Sequence, residues 1–343
     1  FTKANASIDI DISQRKILGK VDYKFNVLSE IDTIRIDAKN MNIQSVLIDG
    51  KTAGFKYDNQ AIKVFSGFKL GENTIAIKYN ALPKQTVYYT GSGTDLQIWT
   101  QGQGKYTSHW LPSFDDVNEK VIFNFSISFD KRYQVISNGN LANKTISGAN
   151  FVWNYKMDKP MSSYLAMFAI GKYEVITQKS NSGIPIESYL KPTDKSKYEA
   201  TYKYTKEFFD FLEGETSFDY PWKIYRNVPV EDFLYSGMEN TTSTIFNQDF
   251  VVDAVGFNDR DYLNVNAHEM AHQWFGDLIT AKTKKDHWLQ EGFATFYALL
   301  AERSVLGEDL YYWKLYEMAE KIQKESKNAK NTVIYSEGAT TTT

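Results

Sequence analysis

Apolar and polar residues alternate through the first half of the chain. The alternation runs through Val21, Tyr23, Phe25 and Val27, then Ile34 and Ile36, Ile62 and Val64, Ile75, Ile77 and Tyr79, and Val121, Phe123, Phe125, Ile127 and Phe129. A period of two puts one set of side chains on one face, so each run predicts a strand half-buried against a core. Asp49-Gly50, Gly71-Glu72-Asn73 and Asn138-Gly139-Asn140 carry turn residues between the runs. Many short strands with no helical pattern among them predict a β-sandwich over residues 1–178. The polar stretch 179–183, Lys-Ser-Asn-Ser-Gly, predicts a joint.

Beyond that stretch the period changes. Tyr198, Tyr202, Phe208, Phe209 and Leu212 share a face at helical spacing. They predict a helix capped by Thr193 or Asp194 and stopped by Gly214. Residues 224–230 predict a strand. Leu263, Ala267, Met270, Ala271 and Trp274 form an apolar stripe that predicts a helix over 261–276. Leu289, Phe293, Phe296, Leu300 and Val305 predict the core side of another, from about residue 286 to Leu306, ended by Gly307. Residues 179–343 therefore read as a mixed α/β domain, and the whole chain as multi-domain α+β.

Composition narrows the function. A chain of 343 residues exceeds one ordinary core. Its net charge of −3 gives no basic footprint for nucleic acid and no polybasic membrane patch. No apolar run approaches a membrane span. The absence of cysteine removes disulfides and thiolate metal sites. The chain opens at Phe1 rather than methionine, which leaves room for a removed leader and slightly favours a periplasmic or secreted protein over a cytoplasmic one.

Two of the four histidines fall in His268-Glu269-Met270-Ala271-His272. At i and i+4 on a helix both imidazoles leave one face and reach one metal ion. Glu269 projects about 100° away around the helix, placed to act on a water rather than to bind the metal. Glu291 follows on the next predicted helix. His268, His272 and Glu291 make a His₂Glu set, the three-ligand arrangement of a catalytic zinc with one open position. Glu269 is then the general base. His109 and His287 have no partner at ligand spacing and read as ordinary packed or surface histidines.

Zinc hydrolases of this kind divide into endopeptidases and exopeptidases. The segment Ser236-Gly237-Met238-Glu239-Asn240 bears on the choice. An enzyme acting at a free N-terminus must hold an ammonium, and a carboxylate such as Glu239 does this by a charge-assisted hydrogen bond. Gly237 lets backbone approach closely.

The motifs together resemble the M1 family of zinc aminopeptidases, gluzincins that include aminopeptidase N and leukotriene A4 hydrolase. The matching runs are His268-Glu269-Met270-Ala271-His272-Gln273-Trp274-Phe275-Gly276, Trp288-Leu289-Gln290-Glu291-Gly292-Phe293-Ala294, and residues 236–240. Ser236 departs from the glycine the family carries there. The resemblance implies a β-sandwich N-terminal domain followed by a thermolysin-like catalytic domain. It implies one zinc per chain and peptide substrates with a free N-terminus. It places Gly237, Met238 and Glu239 at the substrate. Gln101-Gly102-Gln103 resembles an element of the family's N-terminal domain, which implies Gln103 near the amine and Gln101 at the wall of the first side-chain pocket.

The family also carries an oxyanion-stabilising tyrosine and a helical C-terminal domain. Tyr335 lies in a superficially similar run but lacks the neighbouring lysine and sits too close to the zinc motif. The resemblance therefore puts the true tyrosine beyond Thr343 and makes this chain part of a longer protein. Three other readings remain: a thermolysin-like endopeptidase, a leukotriene A4 hydrolase-like bifunctional hydrolase, and a silent binding module. The intact Glu269 speaks against the last.

Overall fold

The computed structural model describes residues 1–328. A nine-stranded sheet runs in the order Asn140–Ser147, Asn150–Lys156, Lys120–Asp130, Lys3–Asp11, Lys16–Val27, Gly71–Ala81, Met41–Ile48 and Lys51–Thr52, with Met161–Ser162 paired to the start of Lys120–Asp130. Neighbours are antiparallel except Lys3–Asp11 and Lys120–Asp130, which run parallel with Ala4 opposite Phe123. The alternation has the expected consequence. Val21, Tyr23, Phe25, Val27, Ile75, Ile77, Tyr79, Val121, Phe123, Phe125, Ile127 and Phe129 are buried, while Leu18, Lys20 and Lys24 face outward. Gly71-Glu72-Asn73 opens a strand rather than making a turn, and Asn73 hydrogen-bonds back to Lys69.

The sheet's apolar face is covered by a second, four-stranded sheet in the order Gln134–Ser137, Phe168–Gly171, Gln97–Thr100 and Val87–Thr90. Trp110 packs between the two, 6.2 Å from Phe125 and 5.2 Å from Phe168 between ring centres. A three-stranded sheet, Ile34–Asp37, Ala61–Val64 and Phe55–Tyr57, completes this part. Strands Gln97–Thr100 and Phe168–Gly171 are buried along their whole length, because the second half of the chain packs on their far side. There Trp99 meets Phe233 edge-on and donates to the carbonyl of Glu231 at 3.1 Å.

The second part is built on a mixed five-stranded sheet: Glu174–Lys179, Pro185–Leu190, Tyr225–Val230, Ser243–Asn247 and Gly237–Met238. The three inner strands are parallel, and Gly237–Met238 is an antiparallel edge. The expected joint at 179–183 is instead the turn of a hairpin inside this sheet, with Gly183 at φ 90°. The boundary placed after residue 178 thus falls within the sheet's first strand.

Five α-helices are described: α1 (Tyr198–Thr201), α2 (Thr205–Thr216), α3 (Leu263–Ala271), α4 (His287–Leu306) and α5 (Glu308–Asn328). The single helix expected from residue 193 to Leu212 is broken. Tyr204 takes φ 66°, and α2 continues through Gly214 to a left-handed Ser217. The break lets one apolar stripe serve two cores. Tyr198 and Tyr202 join Phe246 and Tyr262, whereas Phe208, Phe209 and Leu212 join the main core.

The apolar face read for α4 also differs from the buried one. Leu289, Phe293 and Phe296 are largely exposed and Leu300 and Val305 half-buried, while Gln290, Ala294, Ala298 and Ala301 face inward. Small side chains allow α4 to lie close against α3, and the larger rings stay at the margin, Phe275 stacking on Phe293 and Tyr297. No helix among the described residues is long and apolar enough to cross a membrane.

The two parts are locked by buried polar groups. Asn138 donates to the carbonyls of Leu165 and Thr241, Gly139 N–H to Thr242 Oγ1, and Asn240 to Leu165. Arg226 reaches from the inner sheet to the carbonyls of Ser137 and Gly139 and pairs with Glu187 at 2.8 Å. Each bond satisfies a group that would otherwise lose its water without recompense. Together they fix residues 239–242 against the β-rich part.

Candidate active site

Helix α3 presents the two histidines as the spacing requires. Its apolar stripe is fully buried, from Leu263 to Trp274, and the helical turns run on to Phe275. His268 Nε2 and His272 Nε2 face each other at 3.0 Å. Glu291 Oε2, from the first turns of α4, lies 3.5 Å from the former and 3.6 Å from the latter. A tetrahedral ion with donors at about 2.0–2.2 Å spaces them ~3.3–3.6 Å apart, so this triangle suits zinc. His272 Nδ1 lies 2.9 Å from the carbonyl of Phe275. Donation there selects the tautomer whose Nε2 lone pair faces the ligand cluster. Gly276 makes this possible. It sits at φ 142°, and a Cβ on it would come within 3.1 Å of His272 Nδ1.

Charge in the cluster is unevenly shared. Burial acts to lower the pKa of His272, but Glu239, Glu291 and Glu269 outweigh it and push it up to about 10. Burial lowers His268, opposed by its hydrogen bond to Glu291. Burial works against ionised Glu291, yet hydrogen bonds from His268, His272 and His287 hold that carboxylate far below its ordinary range.

Glu269 is buried on α3 beside the histidines. Its burial raises its pKa strongly; His272 opposes the rise, and the charges of Glu239 and Glu291 add to it. Gly237, on the edge strand, explains how the carboxyl fits. A Cβ there would stand 2.5 Å from Glu269 Oε1, so any side chain would displace that carboxyl. The glycine thus makes room for Glu269.

Glu239 is buried at the end of the edge strand, with ligand-type atoms of Glu239, Glu269 and His272 all within 4.8 Å of one another. Tyr164, from the β-rich part, donates its hydroxyl to Glu239 Oε1 at 3.1 Å. Burial and the Glu239 charge hold this phenol protonated, well above its ordinary pKa. Gln290 Nε2 in turn donates to the Tyr164 oxygen at 3.1 Å. Gln273, the residue after His272, accepts from Thr242 N–H at 2.9 Å and donates to the Glu239 carbonyl at 3.3 Å.

These groups line one cavity of about 490 Å³, walled by Gln103, Tyr235, Ser236, Gly237, Glu239, Asn264, Val265, His268, Glu269, His272, His287, Glu291 and Thr295. The structure therefore brings Gln103 and Gly237 to the cavity. It does not bring Gln101 or Met238 to its lining. Gln101 is buried and turns back on its own loop, Oε1 accepting from Gln103 N–H at 2.9 Å. Met238 faces the core, as alternation along a strand dictates between Gly237 and Glu239. Tyr335 lies outside the described residues.

One reading needs correction. His287 has a partner at helical spacing: its Nε2 is 3.1 Å from Glu291 Oε1, one turn along α4. The signal was present in the sequence, four residues before the ligand. Tyr164 and Gln290 carried no comparable signal, since their contacts join residues 75 and 126 positions apart.

A His₂Glu cluster with a buried glutamate beside it, on helices packed against an edge strand, defines a gluzincin-type peptidase site. Comparison with known proteins carries this further. Residues 3–165 match the peptidase M1 N-terminal domain, and residues 200–340 match the peptidase family M1 domain. The chain belongs to peptidase family M1. It is similar to glutamyl aminopeptidase of Bos taurus, 31% identical over 84% of this chain and 33% of that protein. It is also similar to aminopeptidase N of Lactobacillus delbrueckii subsp. lactis, 28% identical over 91% of this chain and 38% of that protein. Leucyl aminopeptidase of Saccharolobus solfataricus is 27% identical over 80% of this chain and 35% of that protein. The chain thus spans about a third of the length of these relatives.

Proposed function

We propose that this chain carries the catalytic and amine-binding residues of a zinc aminopeptidase that removes single N-terminal residues from peptides. The observation that carries the reading is Glu239, a buried carboxylate on the wall of the cavity that holds His268, His272, Glu291 and Glu269. The names of the similar proteins, all aminopeptidases, support it. His268, His272 and Glu291 would hold a zinc ion, which would supply Lewis acidity to the scissile carbonyl and the attacking water.

The remaining steps belong to the chain's own side chains. Glu239, held by Tyr164, receives the substrate ammonium, and Gln103 adds a polar contact from the β-rich part. That anchor fixes how far the chain can enter and so sets cleavage after one residue. Glu269 takes the proton of the attacking water on its carboxylate and delivers it to the departing amine.

The test is zinc content together with hydrolysis of a free-amine aminoacyl amide and its N-acetylated twin, measured on this chain. One zinc per chain and cleavage of the free amine only are the expected outcome. Cleavage of the acetylated twin at a similar rate would make the protein an endopeptidase and remove the role given to Glu239.

A further inference from the structure

His287 stands apart from the ligand cluster, yet it touches it. The cluster gathers atoms of His268, His272 and Glu291, and His287 is not among them. Glu291 faces in two directions. Oε2 points to the two α3 histidines at 3.5 and 3.6 Å, and Oε1 lies 3.1 Å from His287 Nε2. His287 is the first residue of α4, and its side chain is only 16% exposed. It lines both the large cavity and a smaller neighbouring one bounded by Gln103, Lys105, Phe114 and Tyr164. Its Nε2–H donates to Glu291.

We propose that His287 is a positioning residue of the metal centre: by holding Oε1 of Glu291 it withholds that oxygen from the ion and presents Oε2 alone. The inference rests on the zinc-peptidase reading. A carboxylate ligand left unheld rotates freely and can offer both oxygens, which crowds the coordination sphere where substrate must enter. A hydrogen bond to the second oxygen prevents this, and such supporting bonds commonly contribute roughly 10–100-fold in metal affinity. A solvated helix-end pair would do much less, since i,i+4 pairs on isolated helices contribute only about 0.2–0.5 kcal/mol.

The experiment is zinc affinity by competition with a chromophoric chelator, on this chain and on His287→Phe, His287→Ala and His287→Gln. The Phe and Ala variants are expected to lose roughly 10–100-fold in affinity. The Gln variant keeps a donor and is expected to recover most of it. Cobalt substitution supplies a second readout. A glutamate binding through both oxygens raises the coordination number and weakens the visible d–d bands, so the Phe and Ala variants should absorb less than wild type. Far-UV circular dichroism and the melting temperature of the metal-free proteins identify any variant that has lost its fold; Ala serves if Phe does not fit. Unchanged zinc affinity and an unchanged cobalt spectrum in a folded Ala or Phe variant would overturn the inference alone. A wild-type chain that takes up no zinc would overturn the functional reading, and this inference with it.

Discussion

The metal side of the cavity and its amine side draw on different lengths of chain. His268 and Glu269 lie in α3, His272 caps its C-terminus, and His287 and Glu291 come from the first turns of α4. Gln103, Tyr164 and Glu239 come from two loops of the β-rich part and one edge strand of the catalytic sheet. The metal side is set by helical geometry, which fixes the direction of residues four apart. The amine side exists only when the two parts are packed together, because Tyr164 reaches Glu239 across that junction. Gln273 and Gln290 join the two sides, one beside His272 and the other beside Glu291. Disturbing the junction should therefore weaken amine recognition before it weakens metal binding.

The sharpest separation comes from Glu269→Gln. Removing the base is expected to lower kcat by about 10²–10⁴ while zinc content stays at wild-type level. Loss of zinc from this variant would instead mean that Glu269 shapes the cluster, and the comparison would lose one of its terms. Glu239→Ala follows. Deleting one partner of a buried charge pair costs about 2–5 kcal/mol, so kcat/KM for a free-amine substrate should fall roughly 30- to several-thousand-fold. The N-acetylated twin should be cleaved no worse than before. If both substrates suffer equally, the carboxylate is structural.

Tyr164→Phe tests the amine side from the β-rich part. It removes one hydrogen bond to a charged group, worth about 1.5–3 kcal/mol. Binding of a free-amine amino-acid hydroxamate to the zinc-loaded chain should weaken about 10–150-fold, and binding of its N-acetyl analogue should change little. An equal loss for both ligands would show that Tyr164 supports the fold rather than the anchor.

The metal side alone should respond to pH. In the metal-free fold His272 keeps its proton up to about 10, against an ordinary 6.5. The raised value means that its contribution to stability is complete below 6.5 and is lost as pH rises through about 10. Zinc must displace that proton. Zinc affinity should therefore rise about tenfold per pH unit across the same window, with proton release visible as buffer-dependent heats in calorimetry. Uptake at pH 8 without proton release would count against a protonated His272.

Local spacing made much of this protein legible. The alternating runs that predicted strands are the buried faces of the sheets, and the stripe from Leu263 to Trp274 is the buried side of α3. His268, His272 and Glu291 converge as their spacing and helices suggested. Where reading failed, a neighbour distant in sequence had decided the outcome. Tyr198 and Phe208 lie on one stripe but serve different cores, so the chain breaks at Tyr204. Phe293 and Phe296 look like core residues, yet α3 comes so close that the small Ala294, Ala298 and Ala301 take the inward face of α4 instead. Gln101 appeared a wall residue and became a brace for Gln103, because its loop needed an acceptor for a backbone N–H.

The sequence by itself determined the elements and the convergence of His268, His272 and Glu291 with Glu269 beside them, since these depend on periods of two and 3.6 that a chain carries locally. Only the tertiary structure decided what stands opposite them. Glycine at 237 means nothing until Glu269 occupies the space its missing side chain leaves. Tyr164 means nothing until the β-rich part brings it to Glu239. Such contacts are matters of distance in space, and a one-dimensional pattern encodes distance only within a few turns of the residue being read.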